Sequence, residues 1–273
     1  MRSIVTAVLV FTSTATLAAQ QAPTPAAPSW EITLGGGALL TPSYAGAEEY
    51  DLFPFPLTRV SYRQRIYLGQ STAGNGVGLG VWAIRSGGFG MAAEVGVLPN
   101  RPHSRADALA GMENRDFVGT ASGTVSYTLG GIEAAVSVTR GLNDGAGTLG
   151  STRLSYTGSV GGRLITTIGV GATFADQRQM RWDFGVTDRE AARRQALIDA
   201  GDDRLEADEG RAYRPDAGLR HLGASLSLTY PMTAHWALVG FGGVDRLSSE
   251  ANASPLVRRR EQVSGGFGLG YRF

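Results

Sequence analysis

Residues 262–273 read QVSGGFGLGYRF. Val263, Gly265, Phe267, Leu269, Tyr271 and Phe273 share one face of an extended chain, and Gln262, Ser264, Gly266, Gly268, Gly270 and Arg272 share the other, because successive side chains of a strand point to opposite sides. One face is apolar and aromatic; the other is small or polar. The same period of two returns three times. Leu164, Thr166, Ile168, Val170, Ala172 and Phe174 oppose Ile165, Thr167, Gly169, Gly171 and Thr173. Leu222, Ala224, Leu226, Leu228 and Tyr230 oppose His221, Gly223, Ser225, Ser227 and Thr229, and Ile132, Ala134, Val136 and Val138 oppose Glu133, Ala135, Ser137 and Thr139.

Alternation alone also describes a soluble β-sandwich. The non-apolar face discriminates: in a sandwich it faces water and favours long charged side chains, whereas here it is mostly Gly, Ser, Thr and Ala, as suits a barrel lumen. Aromatics gather at segment ends (Trp30, Phe174, Tyr230, Trp236, Tyr271, Phe273), where a barrel carries its interfacial girdles. Gly 39 in 273 residues is well above the usual share of about 7%. These glycines lie inside the alternating segments, which suits curved strands with close backbone approach. The expectation is an antiparallel transmembrane β-barrel of about twelve strands, near 30–40, 51–63, 65–71, 77–86, 88–98, 117–129, 131–140, 151–162, 163–175, 218–231, 235–247 and 261–273. The third is the weakest segment. Short turns would then face the periplasm and longer loops the outside.

Met1 to Ala19 holds Arg2 followed by an uncharged apolar stretch. It reads as a secretory signal peptide with small residues Thr16 and Ala18 ahead of a cut, followed by a flexible lead, Gln20 to Ser29. The chain has no cysteine, so it has neither disulfides nor thiolate chemistry. Every one of its 25 basic residues is Arg, against 24 acidic ones, a balance that gives no reason to expect nucleic acid as a partner. The expected location is the bacterial outer membrane.

Thr187 to Ala200 (TDREAARRQALIDA) predicts a helix within the longest outer loop, with Thr187 and Glu190 as a capping box and Gly201 as the stop. Its weak apolar face predicts a solvated surface helix. The acidic run Asp202, Asp203, Glu206, Asp208 and Glu209 has the chemistry of a divalent-cation site, although solvation is the commoner fate of such runs. His103, His221 and His235 lack metal spacing. Only His221 sits at a strand end on the polar face, with no Ser or Asp placed beside it by the sequence. Gly76, Gly78 and Gly80 imitate a dinucleotide loop but lie inside an alternating segment with no helix following. No catalytic residue, metal site or cofactor is expected, so the chain reads as a non-enzyme. Glu31, Glu94, Glu133 and Arg153 fall on polar-face positions. Facing lipid they would cost a few kcal/mol, roughly 2–4 for Arg at the midplane, so they are expected in the lumen, as a structural plug in preference to a selectivity lining.

Several segments in order resemble the MipA/OmpV family of outer-membrane proteins, the MltA-interacting proteins. They are Tyr44-Ala-Gly46-Ala-Glu-Glu-Tyr50 with Phe53-Pro54-Phe55-Pro56, then Asp183-Phe184-Gly185-Val186-Thr187, Tyr213-Arg-Pro-Asp-Ala-Gly218, and Arg246-Leu247 with Ala253-Ser254-Pro255-Leu256-Val257. The ending Gly268-Leu-Gly-Tyr271-Arg-Phe273 fits as well, and its terminal aromatics, Tyr271 and Phe273, resemble the signal read by the barrel-assembly machinery. The resemblance implies a scaffold that brings a murein lytic transglycosylase together with a penicillin-binding protein. The alternatives are a small-solute channel or an adhesin acting through the outer loops.

Overall fold

The computed structural model describes residues 29–71, 76–98 and 101–273. The signal peptide and most of the flexible lead expected from the sequence lie outside the described residues. Twelve strands run in chain order: β1 (Trp30–Pro42), β2 (Tyr50–Tyr62), β3 (Ile66–Gln70), β4 (Val77–Ser86), β5 (Phe89–Leu98), β6 (Val118–Leu129), β7 (Ile132–Gly141), β8 (Thr148–Val160), β9 (Leu164–Ala175), β10 (Gly218–Pro231), β11 (Trp236–Leu247) and β12 (Glu261–Arg272). Each pairs antiparallel with its sequence neighbours, and β1 pairs with β12, closing the barrel. The closure excludes the sandwich and removes the sheet edge that lipid would not tolerate. No helix among the described residues is long and apolar enough to cross a membrane.

The alternation sorts as expected. Leu34, Val136, Val170, Leu222, Val263 and Phe267 stand exposed on the outside, where bilayer replaces water, while Ser126, Ser137, Ser155, Thr167 and Ser227 on the other face are buried. At the seam Gly35 pairs with Gly270 and Gly37 with Gly268. A Cβ on Gly35 or Gly37 would run into the carbonyl oxygens of Leu269 or Phe267, so the seam needs glycine for the two backbones to approach.

The third strand is indeed the short one. β2 pairs with β3 only through Val60, Ser61 and Tyr62, while its other edge pairs with β1 along its whole length. Pro54 and Pro56 fall in the stretch of β2 for which the described residues offer no partner on the β3 side. That is where a residue without an N–H is tolerated.

Aromatic rings ring the end that carries both the short turns and the terminal strand ends. Trp30 lies 4.7 Å from Tyr62, Trp236 lies 5.0 Å from Tyr271, and Tyr271 lies 4.8 Å from Phe273. The turns here are tight; Arg63 and Gln64 sit at φ 50° and 53°, the left-handed conformation that matches a two-residue hairpin to strand twist.

Candidate functional site

The outer loops do not extend into solvent as independent segments; they fold together into a cap with its own apolar core. Three helices belong to it, α1 (Gln177–Phe184), α2 (Asp188–Asp199) and α3 (Ser249–Asn252). Tyr44, Leu109, Met112, Val186, Ala191 and Leu256 form one cluster, and Met180, Phe184, Leu247 and Ala251, with Ala175, form a second. Residues far apart in the chain therefore meet in one body.

α2 starts where the capping box sets it. The Thr187 side chain accepts from the Glu190 N–H, and the Glu190 carboxylate accepts from the Thr187 N–H at 2.9 Å. It is not the solvated helix expected from its weak apolar face, because a charged residue supplies its inward anchor. Arg194 is fully buried. Its guanidinium donates to the carbonyls of Ala108 at 2.6 Å, Ala110 at 3.1 Å, Glu209 at 2.7 Å and Pro255 at 3.5 Å, so one cation satisfies backbone from three different loops. Glu209 lies beside it at 3.5 Å and is held from the other side by Arg258 at 2.8 and 3.0 Å. Hydrogen bonding to Glu209 is the main reason the Arg258 guanidinium is held more firmly protonated than usual.

Two members of the acidic run are taken up by arginines. Glu209 is consumed by two arginines and Asp202 by Arg204, and the described residues contain no group of carboxylates or histidines able to hold a metal.

The residues that carried the family resemblance converge on the cap. The Tyr44 hydroxyl donates to the Leu256 carbonyl at 2.7 Å, and burial pushes its ionisation well above the ordinary phenol range. Gly46 has φ +101°, and a Cβ there would meet Val257 Cγ2 at 2.6 Å; its carbonyl accepts from the N–H groups of Arg258 and Arg259. The Ser254 hydroxyl, next to Pro255, donates to the Phe184 carbonyl at 2.6 Å. Gly185 passes the chain to Val186, which bridges Tyr213, and the Tyr50 hydroxyl accepts from the Val263 N–H at 3.3 Å. The Phe53–Pro56 stretch stands apart on β2, with Pro54 on its outer face, and the terminal Tyr271 and Phe273 lie at the opposite rim.

Each of the four charges expected in the lumen has a partner on the wall. Ser61 donates to Glu31 at 3.3 Å, Tyr67 donates to Glu94 at 2.9 Å, and Arg153 meets Glu133 at 3.2 Å.

Between the underside of the cap and the wall lies a cavity of about 370 Å³. His221 opens onto it, and here the structure supplies a neighbour that the sequence did not reveal: Asp245 on β11, with Oδ1 at 3.8 Å from His221 Nε2. Arg220 Nη1 lies 2.8 Å from His221 Nδ1; since arginine can only donate, Nδ1 accepts and the ring proton sits on Nε2, towards Asp245. Arg220 Nε also donates to Asp183 Oδ2 at 2.8 Å. Arg101, Arg105, Arg115 and Arg153 face the same space. Burial, and then the neighbouring Arg115, push the Arg101 guanidinium down to about 10. Neither Arg101 nor Arg115 stood out in the sequence, because each lies in an irregular loop with no motif around it.

A family model described as MltA-interacting protein MipA matches residues 34–273. The chain belongs to the MipA family. The match takes in all but the first four residues of the barrel, together with every cap segment. No curated protein matches the chain. Among solved structures it is similar to an outer-membrane channel from Pseudomonas putida F1, at 12% identity over 93% of this chain and 100% of that one, TM-score 0.45. It is also similar to an anion-selective porin from Comamonas acidovorans, at 10% identity over 89% and 98%, TM-score 0.41. By its family and its closed sheet, this MipA-family member is an outer-membrane β-barrel.

Proposed function

We propose that the chain is a non-enzymatic outer-membrane scaffold that holds a murein lytic transglycosylase, and through it a penicillin-binding protein, at the periplasmic mouth of the barrel. The observation that carries this reading is the family match, in a family named for that interaction. The charge of the periplasmic rim supports it. Its turns and strand ends carry exposed Arg63, Arg65, Arg85, Arg163 and Arg272, and the turn residues 63–65, 87–88, 130–131, 161–163 and 232–235 include no acid. Such a rim fits a partner with an acidic face, and complementary charge steers association. A single two-residue turn is far smaller than the roughly 800 Å² per partner of a standard interface, so the rim must act as a whole.

The test is co-purification of the detergent-solubilised barrel with the murein hydrolase of its native host. Capture that weakens with salt, and is lost when Arg63, Arg65, Arg85 and Arg163 are all changed to Glu, is the expected result. Equal capture by the charge-reversed barrel, or none by the native one, refutes the proposal.

A further inference from the structure

The cavity beneath the cap carries a charge arrangement that the scaffold reading does not use. Arg101 and Arg115 form an isolated two-residue bridge, with Arg101 N–H donating to the Arg115 carbonyl at 2.7 Å and Arg115 N–H to the Arg101 carbonyl at 3.0 Å. Residues opposed in this way project to the same side, and both side chains line the cavity. Two like charges directly opposite one another are destabilising, so the opposition itself adds nothing to the stability of the cap.

Their donors are also incompletely used. Arg101 Nη1 donates to the Asp183 carbonyl at 2.8 Å, and Arg115 has Glu190 at 3.8 Å and the Trp182 ring at 4.9 Å. Arg101 Nη2 and Arg115 Nε are buried without an acceptor, which leaves the desolvation of each donor uncompensated. A third guanidinium, Arg220, faces the cavity from β10, with Asp183 already engaged by it and by Gln179. The rest of the lining includes hydroxyls, among them Ser225 and Ser264, which both donate and accept. The volume lies at the small end of the range for small-molecule sites, roughly 300–1,000 Å³.

We propose that this cavity is a binding site for a small hydroxylated organic acid, its carboxylate or phosphate held between Arg101 and Arg115 and its hydroxyls met by the serine-bearing wall. An oxyanion supplies the missing acceptors and offsets the repulsion of the opposed pair, which a neutral or cationic solute cannot do. Guanidinium groups suit the task because their planar forks match carboxylate and phosphate oxygens. The site is on the cap side and is independent of the rim proposed to dock a partner.

Titration calorimetry of the full barrel in detergent tests this, with gluconate and inorganic phosphate as the anions and glucose as the neutral control. Saturable binding of gluconate and phosphate but not glucose is expected, weakening as sodium chloride rises. Arg101→Gln and Arg115→Gln should each weaken anion binding tenfold or more, whereas Arg214→Gln, exposed on the cap beside Asp188 and away from the cavity, leaves it unchanged. Heat-modifiable migration reports that each variant is folded. Should a loop variant fail to fold, the wild type still decides, since a bound anion must raise its unfolding temperature and glucose must not. Absence of saturable binding of both anions, glucose binding as tightly as gluconate, or undiminished binding in both folded variants overturns the proposal.

Discussion

Replacing Arg194 by Met keeps the length of the side chain and removes its charge, so it isolates what the guanidinium does in the cap. The loss strips hydrogen bonds from the carbonyls of Ala108, Ala110, Glu209 and Pro255. The Glu209 carboxylate is not orphaned, because Arg258 still holds both of its oxygens. The penalty therefore comes from buried carbonyls left without donors. Removing one member of a buried charged cluster costs about 3–5 kcal/mol, here somewhat reduced by Arg258, so roughly 3 kcal/mol is expected. That corresponds to a local opening of the cap more than a hundredfold more frequent, at about 1.4 kcal/mol per tenfold. The barrel should be untouched, since its strands are held by their own ladder. Amide hydrogen exchange resolves the two: protection should fall over 101–117 and 188–217 while β6 to β9 keep theirs, and heat-modifiable migration should persist. Arg193→Met, on the exposed side of the same helix with Glu113 at 3.2 Å, should cost under about 1 kcal/mol. Unchanged exchange at 101–117 in Arg194→Met, or the same change in Arg193→Met, would refute the reasoning.

Three further outcomes follow from the same geometry. Burial works against the charged form of Glu190, but the N–H groups of Thr187 and Glu113, the Thr187 hydroxyl and Arg115 outweigh it, so its pKa lies below the ordinary 4.5. A carboxylate depressed on folding contributes stability that is complete above its unfolded pKa and is lost as pH falls through the folded one. Cap protection should thus decline below about pH 4.5, and Glu190→Gln should flatten that decline; an equally steep decline in the variant would rule Glu190 out. Gly37→Val places a branched side chain against the Phe267 carbonyl at the β1–β12 seam, and the barrel should fail to acquire heat-modifiable migration, whereas Gly123→Ala, with nothing near its missing Cβ, should assemble normally. With the outer loops packed into one body at the outer mouth, the purified protein should conduct poorly in planar bilayers, and deletion of 188–208 should raise the current; steady large currents from the intact chain would contradict a closed mouth.

The period of two in segments such as 262–273 and 164–174 was enough to define the barrel and its inside and outside, because a strand surrounded by lipid must place one kind of residue on every second position; it gave about twelve strands, and only the closed sheet fixed the third. The capping box at Thr187 and Glu190 was legible for the same reason: its contacts are between residues three apart. The cap was not legible. Arg194 looks like any helical surface arginine until Ala108, Glu209 and Pro255 are brought around it, and Arg101 and Arg115 become a pair only when the loop turns back on itself. His221 likewise gained Asp245 from a neighbouring strand 24 positions away in register with Gly223. Local periodicity records which medium each face of a strand meets; buried charges record which distant segments meet each other, and that information exists only once the chain has closed.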